Sequence, residues 1–471
     1  MSPGETKNNG ARAKGGGLKR AKEVLSGRKA LVVGLAATGV SSARFLKKCG
    51  AAVTATDMKP LAELPEAQGL EEAGVVIVAG GHDGVALTGE ELVVVSPGVP
   101  YGHALLEEAR EKGAEVISDI ELAYRFMDAP VLAVAGTNGK TTTTTLLGKV
   151  LEDAGRSVFV GGNIGTPAIE YVENEGKADY CVLEISSFHL ETTDTFTPHV
   201  GILLNITEDH LDRYRDFTHY AGTKFRLFEN QKQGDFAVVN VNDPVIAKKA
   251  LTGFGGGKTV PFTVWGALNE GLYYTGKEIV YRGAKGAEEV YQVKDFKLKG
   301  LHNIENIMAV IAASRIVGVP REAILKTLSG FKGLHHRMEF VRELDGVTYI
   351  DDSKGTNVGA LVMALKGTDA PVVLIAGGKD KGGDYGVLSD LVKEKVRLLV
   401  LLGEARFRIK EALQALTETV VAGSLEEAVK VARERAQDGD TVLLCPACSS
   451  FDMFKSYKER GELFKAFVEA L

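Results

Sequence analysis

The sequence predicts an α/β protein of three domains: a Rossmann-like N-terminal domain, a P-loop-type central domain with a mostly parallel sheet, and a Rossmann-like C-terminal domain. Three observations predict it. Short apolar strands alternate with helix-patterned segments along the chain, which is the signature of parallel βα units. Many of the 55 glycines fall where those strands end. The length of 471 residues suits three cores at roughly 150 residues each.

Bulk composition narrows the function classes. A hydrophobic content of 45% and a charged content of 25% fit an ordinary globular chain. The net charge of −6 argues against a nucleic-acid partner held by bulk charge. No run of about 18 apolar residues occurs, so no membrane span is expected. The four cysteines (Cys49, Cys181, Cys445 and Cys448) argue for a reducing compartment and a cytoplasmic location. Residues 1–27 are rich in Gly, Lys and Arg without the apolar stretch of a signal peptide, and predict a flexible basic tail.

The first domain is read over 28–128. A strand at Ala30–Val33 meets a turn with Gly34 and Gly39, then a helix, then a strand ending in Asp57. This is a βαβ unit with an imperfect dinucleotide fingerprint, because the glycines do not make G-x-G-x-x-G. The strands "VVIVAG" and "LVVVSPGVP" follow. The second domain, 129–333, opens with the strand "VLAVAG" and carries further strands in "SVFVGG", "DYCVLEIS", "VGILLNIT" and "FAVVNV". A β-rich stretch, "GLYYTGKEIVYRGAKGAEEVYQVKDFKL", reads as inserted hairpins, and a helix over about 303–317 closes the domain. The third domain, 334–471, has strands in "VTYID", "PVVLIAGG", "RLLVLLG" and "TVLLCP". In such sheets ligands bind at the carboxyl ends of strands, and the polar motifs fall there.

The stretch "GTNGKTT" follows the first strand of the central domain. A standard P-loop, G-x-x-x-x-G-K-[ST], wants a glycine where Val134 stands. The shortened loop still offers Gly136, Thr137, Asn138, Gly139, Lys140, Thr141 and Thr142 as an ATP-phosphate cradle. Backbone N–H groups at the following helix's start can hold phosphate oxygens. Lys140 can reach the β- and γ-phosphates, and the Thr141 hydroxyl can ligate Mg²⁺. A bare Gly-Asn-Gly helix cap is the bland alternative, disfavoured by the adjacent Lys-Thr pair. Glu184 ends an apolar strand and is either a Mg²⁺ carboxylate or an exposed strand-end acid. His210 stands among Glu208, Asp209, Asp212 and Arg213, as a metal ligand or a surface group. Lys224 alone reads as a solvated helix charge. Asn303 and Asn306, three apart, are helix caps or contacts to a base or ribose. Arg337 is a phosphate clamp or a surface group. Asp352, Ser353, Lys354, Thr356 and Asn357 crowd one strand-end turn, and Lys379 and Lys381 another, which suits an anionic substrate. Cys445 and Cys448 form C-x-x-C, but zinc would need more ligands and a redox role its own small domain. The favoured reading is a turn whose Ser449 and Ser450 bind substrate.

Together these motifs resemble the Mur ligase family, from about residue 28 to the C-terminus. They occur in order as "GTNGKTT", "GGNIG", "LEISSFHLE", "NITEDHLDRY", "YAGTKFRLF", "HNIENIMA", "HHRME", "DDSKGTN" and "CPACSSFDMF". "DDSKGTN" with the terminal "SSFDMFKSYKERG" points to the D-glutamate-adding branch. The Asp-Asn-Pro-Arg motif expected of the diaminopimelate-adding branch is absent. The resemblance implies a monomeric ATP-dependent amide ligase of peptidoglycan precursor synthesis. It would add D-glutamate to UDP-N-acetylmuramoyl-L-alanine through an acyl-phosphate.

The resemblance also implies roles. Ala37, Thr38, Asp57, Ser96, Pro97, Gly98 and Asn163 would contact the UDP-substrate. Lys140 and Arg337 would act on the phosphates, and Asn303, Asn306, Arg337 and Asp352 would contact ATP. Thr141, Glu184, His210 and a carbamylated Lys224 would hold two Mg²⁺ ions. Thr356, Lys381, Ser450, Phe451 and Tyr457 would surround D-glutamate. Met58 and Lys59 depart from the Thr-Arg expected after Asp57, and Cys445 stands where Ser is common. The linkers near 128 and 333 would be hinges. Competing readings are another Mur ligase, a folylpolyglutamate synthase, an NAD-dependent oxidoreductase and a non-catalytic NTPase module.

Overall fold

The computed structural model describes residues 16–471 except 211, 212, 284, 285, 299, 369, 370 and 381. Among the described residues three sheets form. The first contains β1 (Lys29–Val33), β2 (Ala52–Asp57), β3 (Val76–Ala79), β4 (Leu92–Val95) and β5 (Glu115–Ser118) in the order β3-β2-β1-β4-β5, all parallel. β1 and β4 are buried along nearly their whole length, so they read as unbroken apolar runs rather than alternating ones.

The central sheet holds β6 (Val131–Ala135), β7 (Val158–Gly162), β8 (Tyr180–Glu184), β9 (Val200–Leu203), β10 (Phe236–Asn240), β11 (Lys258–Thr263), β12 (Gly271–Tyr274), β13 (Glu278–Arg282) and β14 (Glu288–Gln292). Their order is β14-β13-β12-β11-β10-β9-β6-β8-β7. The stretch read as hairpins extends this sheet: β12, β13 and β14 pair antiparallel at its far edge. The helix read over about 303–317 runs from Leu301 to Ile316. β6 lies between β8 and β9, where the strand order reverses: β7 and β8 lie to one side of it and β9 and β10 to the other. A crevice opens at such a switch point, and the phosphate loop occupies it.

The third sheet holds β15 (Glu339–Leu344), β16 (Val347–Asp351), β17 (Val372–Gly377), β18 (Val396–Leu402), β19 (Glu418–Val421) and β20 (Thr441–Leu444), ordered β15-β16-β20-β17-β18-β19. β15 pairs antiparallel with β16, and the other neighbours run parallel.

One expectation is corrected. Residues 17–25 of the presumed flexible tail form a helix, Gly17–Leu25, whose Leu18, Ala21 and Leu25 are buried. The N–H groups of Gly16 and Gly17 donate to Asp128 Oδ2 at 2.9 and 3.1 Å, and Arg20 Nη2 meets Asp128 Oδ1 at 2.6 Å. A carboxylate at a helix N-terminus satisfies otherwise orphaned donors. A side chain at Gly17 would collide with the Phe126 carbonyl, 2.2 Å from a Cβ there.

The junction near 128 is correspondingly tied down. Glu121, on the helix Asp119–Phe126, is fully buried and reaches the 194–196 loop of the central domain. Its carboxylate accepts from the N–H groups of Asp194, Thr195 and Phe196, each at 3.0 Å, from the Thr195 hydroxyl at 2.7 Å, and from Arg125 Nε at 2.9 Å. One apolar cluster unites Phe45 and Phe126 with Tyr171, Val172 and Phe196. The Tyr124 and Phe196 rings meet edge-on at 5.2 Å. This junction is therefore packed and hydrogen-bonded rather than a free hinge. The third domain has cores of its own, drawn from residues 347–468.

Candidate active site

β6 ends at Ala135 and the helix Lys140–Asp153 begins after Gly139, whose φ of 85° lies in the left-handed region. A Cβ at Gly139 would also sit 2.4 Å from Asn306 Oδ1, so glycine serves both the turn and the close approach. The loop is braced from β9: Asn138 N donates to Asn205 Oδ1 at 2.8 Å and Asn205 Nδ2 returns to Asn138 O at 3.1 Å. The Thr137 hydroxyl lies 3.0 Å from the Tyr220 hydroxyl and accepts from Thr207 N at 3.1 Å. Lys140 Nζ donates to the carbonyls of Gly136 at 2.9 Å and Thr137 at 2.8 Å, within its own loop.

β8 runs beside β6 with Glu184 level with Val134, which delivers its carboxylate to the loop. Glu184 Oε2 accepts from the Thr141 hydroxyl and Oε1 from Asn163 Nδ2, both at 2.8 Å. Asn163, expected among the UDP-substrate contacts, thus stands at the phosphate loop. Lys354 arrives from the third domain, and its Nζ donates to the Thr141 hydroxyl at 2.7 Å. Burial pulls Lys354 down to about 8, with Glu184 opposing and Arg337 and Lys140 reinforcing that fall. A hydroxyl and a carboxylate side by side are the hard oxygen donors that Mg²⁺ prefers, so this pair fits a divalent cation.

Lys224, on the helix Phe217–Phe225, is buried and donates to the Gly136 carbonyl at 3.0 Å. Burial, then Lys140, holds its amine well below the ordinary lysine range, against the pull of Asp209. His210 adopts a φ of 54° and lays its ring 4.7 Å from that of Phe188. Asp209 is 3.6 Å from His210 Nε2 and accepts from Asn357 Nδ2 at 3.2 Å, a second tie to the third domain.

A cavity of about 650 Å³ runs from Asn138, Gly139 and Thr142 past Asn303 and Asn306 to Arg337, Asp352 and Thr356. Asp352 is buried and pushed up to about 6, although Arg337 Nη1 stands 3.9 Å away. The Cys445 thiol donates to Asp352 Oδ2 at 3.2 Å, and Met338 N to Oδ1 at 3.2 Å. His302 lines the same cavity, pushed down to about 4 by burial and by Arg337.

Of the residues expected to contact the UDP-substrate, those of the first domain gather at the carboxyl end of its sheet. Ala37 and Thr38 open the helix Ala37–Lys48. Asp57 accepts from the N–H groups of Leu35 and Lys59 at 2.6 and 2.9 Å, and Ser96 Oγ donates to Gly34 O at 2.8 Å. Pro97 and Gly98 lie on the loop that Arg213 grips: its guanidinium donates to the carbonyls of Pro97 and Val99, and to Glu191 at 2.6 Å.

In the acceptor group, Ser450 is buried, Tyr457 opens the helix Tyr457–Glu469, and Lys354 Nζ stands 5.5 Å from the centre of its ring. Phe451 is 69% exposed, so its ring fills no pocket here. Lys381 lies outside the described residues.

Residues 28–118, 134–314 and 336–448 match the models of the Mur ligase MurD-like N-terminal domain, the Mur ligase middle domain and the Mur ligase glutamate ligase domain. The chain belongs to the Mur ligase family. It is 50% identical to the UDP-N-acetylmuramoylalanine–D-glutamate ligases of Geotalea uraniireducens and Geotalea daltonii, over 95% of this chain and 98% of each of theirs. Its fold is shared with solved structures of a pseudomurein peptide ligase type C from Methanothermus fervidus (TM-score 0.62, 19% identical) and a UDP-N-acetylmuramate–alanine ligase from Thermotoga maritima (TM-score 0.58, 20% identical). Each of these covers 94% of this chain and 99% of its own. Within this Mur ligase, sequence reasoning gave Arg213 and Cys445 no role and left Arg460 and Glu121 unnoticed.

Proposed function

We propose that this Mur ligase joins D-glutamate to UDP-N-acetylmuramoyl-L-alanine at the expense of ATP, through an acyl-phosphate, as a monomer in the bacterial cytoplasm. The observation that carries the reading is the Lys354–Thr141 hydrogen bond, which seats an acceptor-domain loop on the phosphate loop. Half-identity to relatives named for this reaction, along almost the whole chain, supports the substrates.

The chemistry begins with two anions. The substrate carboxylate attacks the γ-phosphorus of ATP, an oxygen–phosphorus bond forms, and ADP leaves with the electron pair of the broken bond. Lys140, Lys354 and Arg337 bring positive charge to this repulsion, inside a cavity where such charge acts strongly. Mg²⁺, when bound, neutralises phosphate charge. Thr141, Glu184, His210 and Lys224 would hold it, Lys224 as the carbamate formed when its neutral amine adds to CO₂ and loses a proton. Carbamylation turns a cation into an oxygen ligand. D-glutamate's neutral amine then attacks the acyl carbon, phosphate departs with the electron pair of the broken C–O bond, and the nitrogen gives up a proton to leave the amide. The third-domain loops carrying Thr356 and Ser450 would hold its carboxylates, and closure of the domains would keep water from the acyl-phosphate.

The test is phosphate release with UDP-N-acetylmuramoyl-L-alanine, ATP and a panel of amino acids. Release is expected with D-glutamate alone. Release driven by L-alanine, L-glutamate or diaminopimelate in its place would sink the reading.

A further inference from the structure

We infer that Arg460 is a positioning residue for the amino-acid acceptor: from the helix behind the strand-end loops it helps set the loop that carries Ser450. The inference deepens the functional reading above and rests on it.

Arg460 lies on the helix Tyr457–Glu469 and is 1% exposed. Its Nε donates to Ser353 Oγ at 3.0 Å and its Nη2 to Ser353 O at 2.8 Å. Cys448 O accepts from Nη1 and Nη2 at 3.4 and 3.3 Å, and Ser449 O from Nη1 at 3.3 Å. Burial pulls the guanidinium down to about 10, so it remains charged near neutrality. One rigid fork of donors therefore joins two strand-end loops, the one after β16 and the one after β20. Lysine, with three donors on a point charge, cannot reproduce that geometry.

Both loops carry restraints besides this fork. The loop after β16 has other restraints: Ser353 N donates to Asp351 Oδ1 at 2.8 Å, Ser353 Oγ to Tyr457 O at 2.8 Å, and Asp352 is held by Cys445 and Met338. In the loop after β20, the Ser449 carbonyl also accepts from Lys379 N at 2.9 Å, the Ser450 carbonyl accepts from Phe454 N and Met453 N at 2.8 and 3.2 Å, and Cys448 Sγ lies 3.2 Å from the Tyr385 hydroxyl. The Cys448 carbonyl is oriented by the guanidinium. Peptides are planar and trans, so turning the Ser449 carbonyl towards Arg460 turns the Ser450 N–H the other way. Arg460, together with Lys379 N, thereby sets the direction in which Ser450 presents its backbone donor. A purely structural arginine would touch all substrates alike. This placement predicts that the acceptor suffers first.

The experiment measures KM for each of the three substrates, and thermal stability, in the full-length protein and in Arg460→Ala and Arg460→Lys. Losing charged hydrogen bonds of this kind corresponds to roughly tenfold or more. The expected result is a tenfold or larger rise in KM for D-glutamate, with KM for ATP and for the UDP-substrate within about threefold. Added guanidinium at millimolar concentration should lower the D-glutamate KM of Arg460→Ala, and Arg460→Lys should fall between. An unchanged D-glutamate KM overturns the inference. So does a parallel rise in all three constants that tracks the loss of thermal stability. If Arg460→Ala does not fold, the same split is read from Arg460→Lys. If the unsubstituted protein does not use D-glutamate, it is the functional reading that fails.

Discussion

Glu121→Ala removes the acid at the centre of the junction between the first and central domains. The side chain is fully buried and receives three backbone N–H groups, a hydroxyl and Arg125. Burial alone would raise its carboxyl, but the bonds from Thr195, Asp194 and Arg125 outweigh that and hold it below the usual glutamate range. Removing one partner of a buried, hydrogen-bonded charge pair costs about 3–5 kcal/mol. For a folding unit of this size each kcal/mol moves a melting transition by about 2–4 °C, so the loss should fall near 6–20 °C. Glu121→Gln keeps the shape but turns an amide N–H₂ towards other donors, and should lose roughly half as much. Calorimetry of the full chain reads both. The sign with pH is definite. A depressed folded pKa gives stability that is complete above the unfolded value of about 4.3 and lost as pH falls through the folded one. The wild type should therefore lose stability on acidification more steeply than Glu121→Gln. A shift under about 2 °C for Glu121→Ala, or equal acid slopes, would refute the idea that this carboxylate locks the junction.

Three further outcomes are expected. Lys140→Ala should abolish ligation by at least about a thousandfold while leaving calorimetric binding of the UDP-substrate intact, because it removes charge from the phosphoryl group alone. Lys224→Ala should lose activity that added short-chain carboxylic acids partly restore, and absence of rescue would speak against a carbamate. Arg213→Ala frees the Pro97 and Val99 carbonyls and deprives the half-buried Glu191 of its ion pair. A rise of about tenfold in KM for the UDP-substrate, with KM for D-glutamate unmoved, is expected on steady-state assay.

The phosphate loop was legible because its logic is local: a strand, a glycine turn and a helix start occupy one short segment, whereas Glu184, ending an apolar strand, read equally as a metal carboxylate or an exposed acid. The helix Gly17–Leu25 was missed although Leu18, Ala21 and Leu25 are spaced as one helical face. Its glycine- and lysine-rich surroundings masked a pattern that becomes stable through packing on the Phe126–Asp128 corner. Glu121 and Arg460 were illegible for a different reason. A buried charge looks like a surface one until its partners are known, and these lie more than 70 and 100 residues away for Asp194 and Ser353. Asn163 was expected at the UDP-substrate by resemblance, and the pairing of β7 with β8 sets it beside Glu184.

The apolar cluster that joins residues of the first and central domains also marks where the chain can be recombined. A graft of a foreign first domain would cut through shared packing around Phe126, Tyr171 and Phe196 and strand Glu121 without its loop. The third domain carries self-contained cores and meets the phosphate loop through polar side chains such as Lys354 and Asn357. Exchange of the third domain among enzymes of this architecture is thus easiest at a crossover near residue 333, where one such module can replace another without cutting through the shared core of the first two domains.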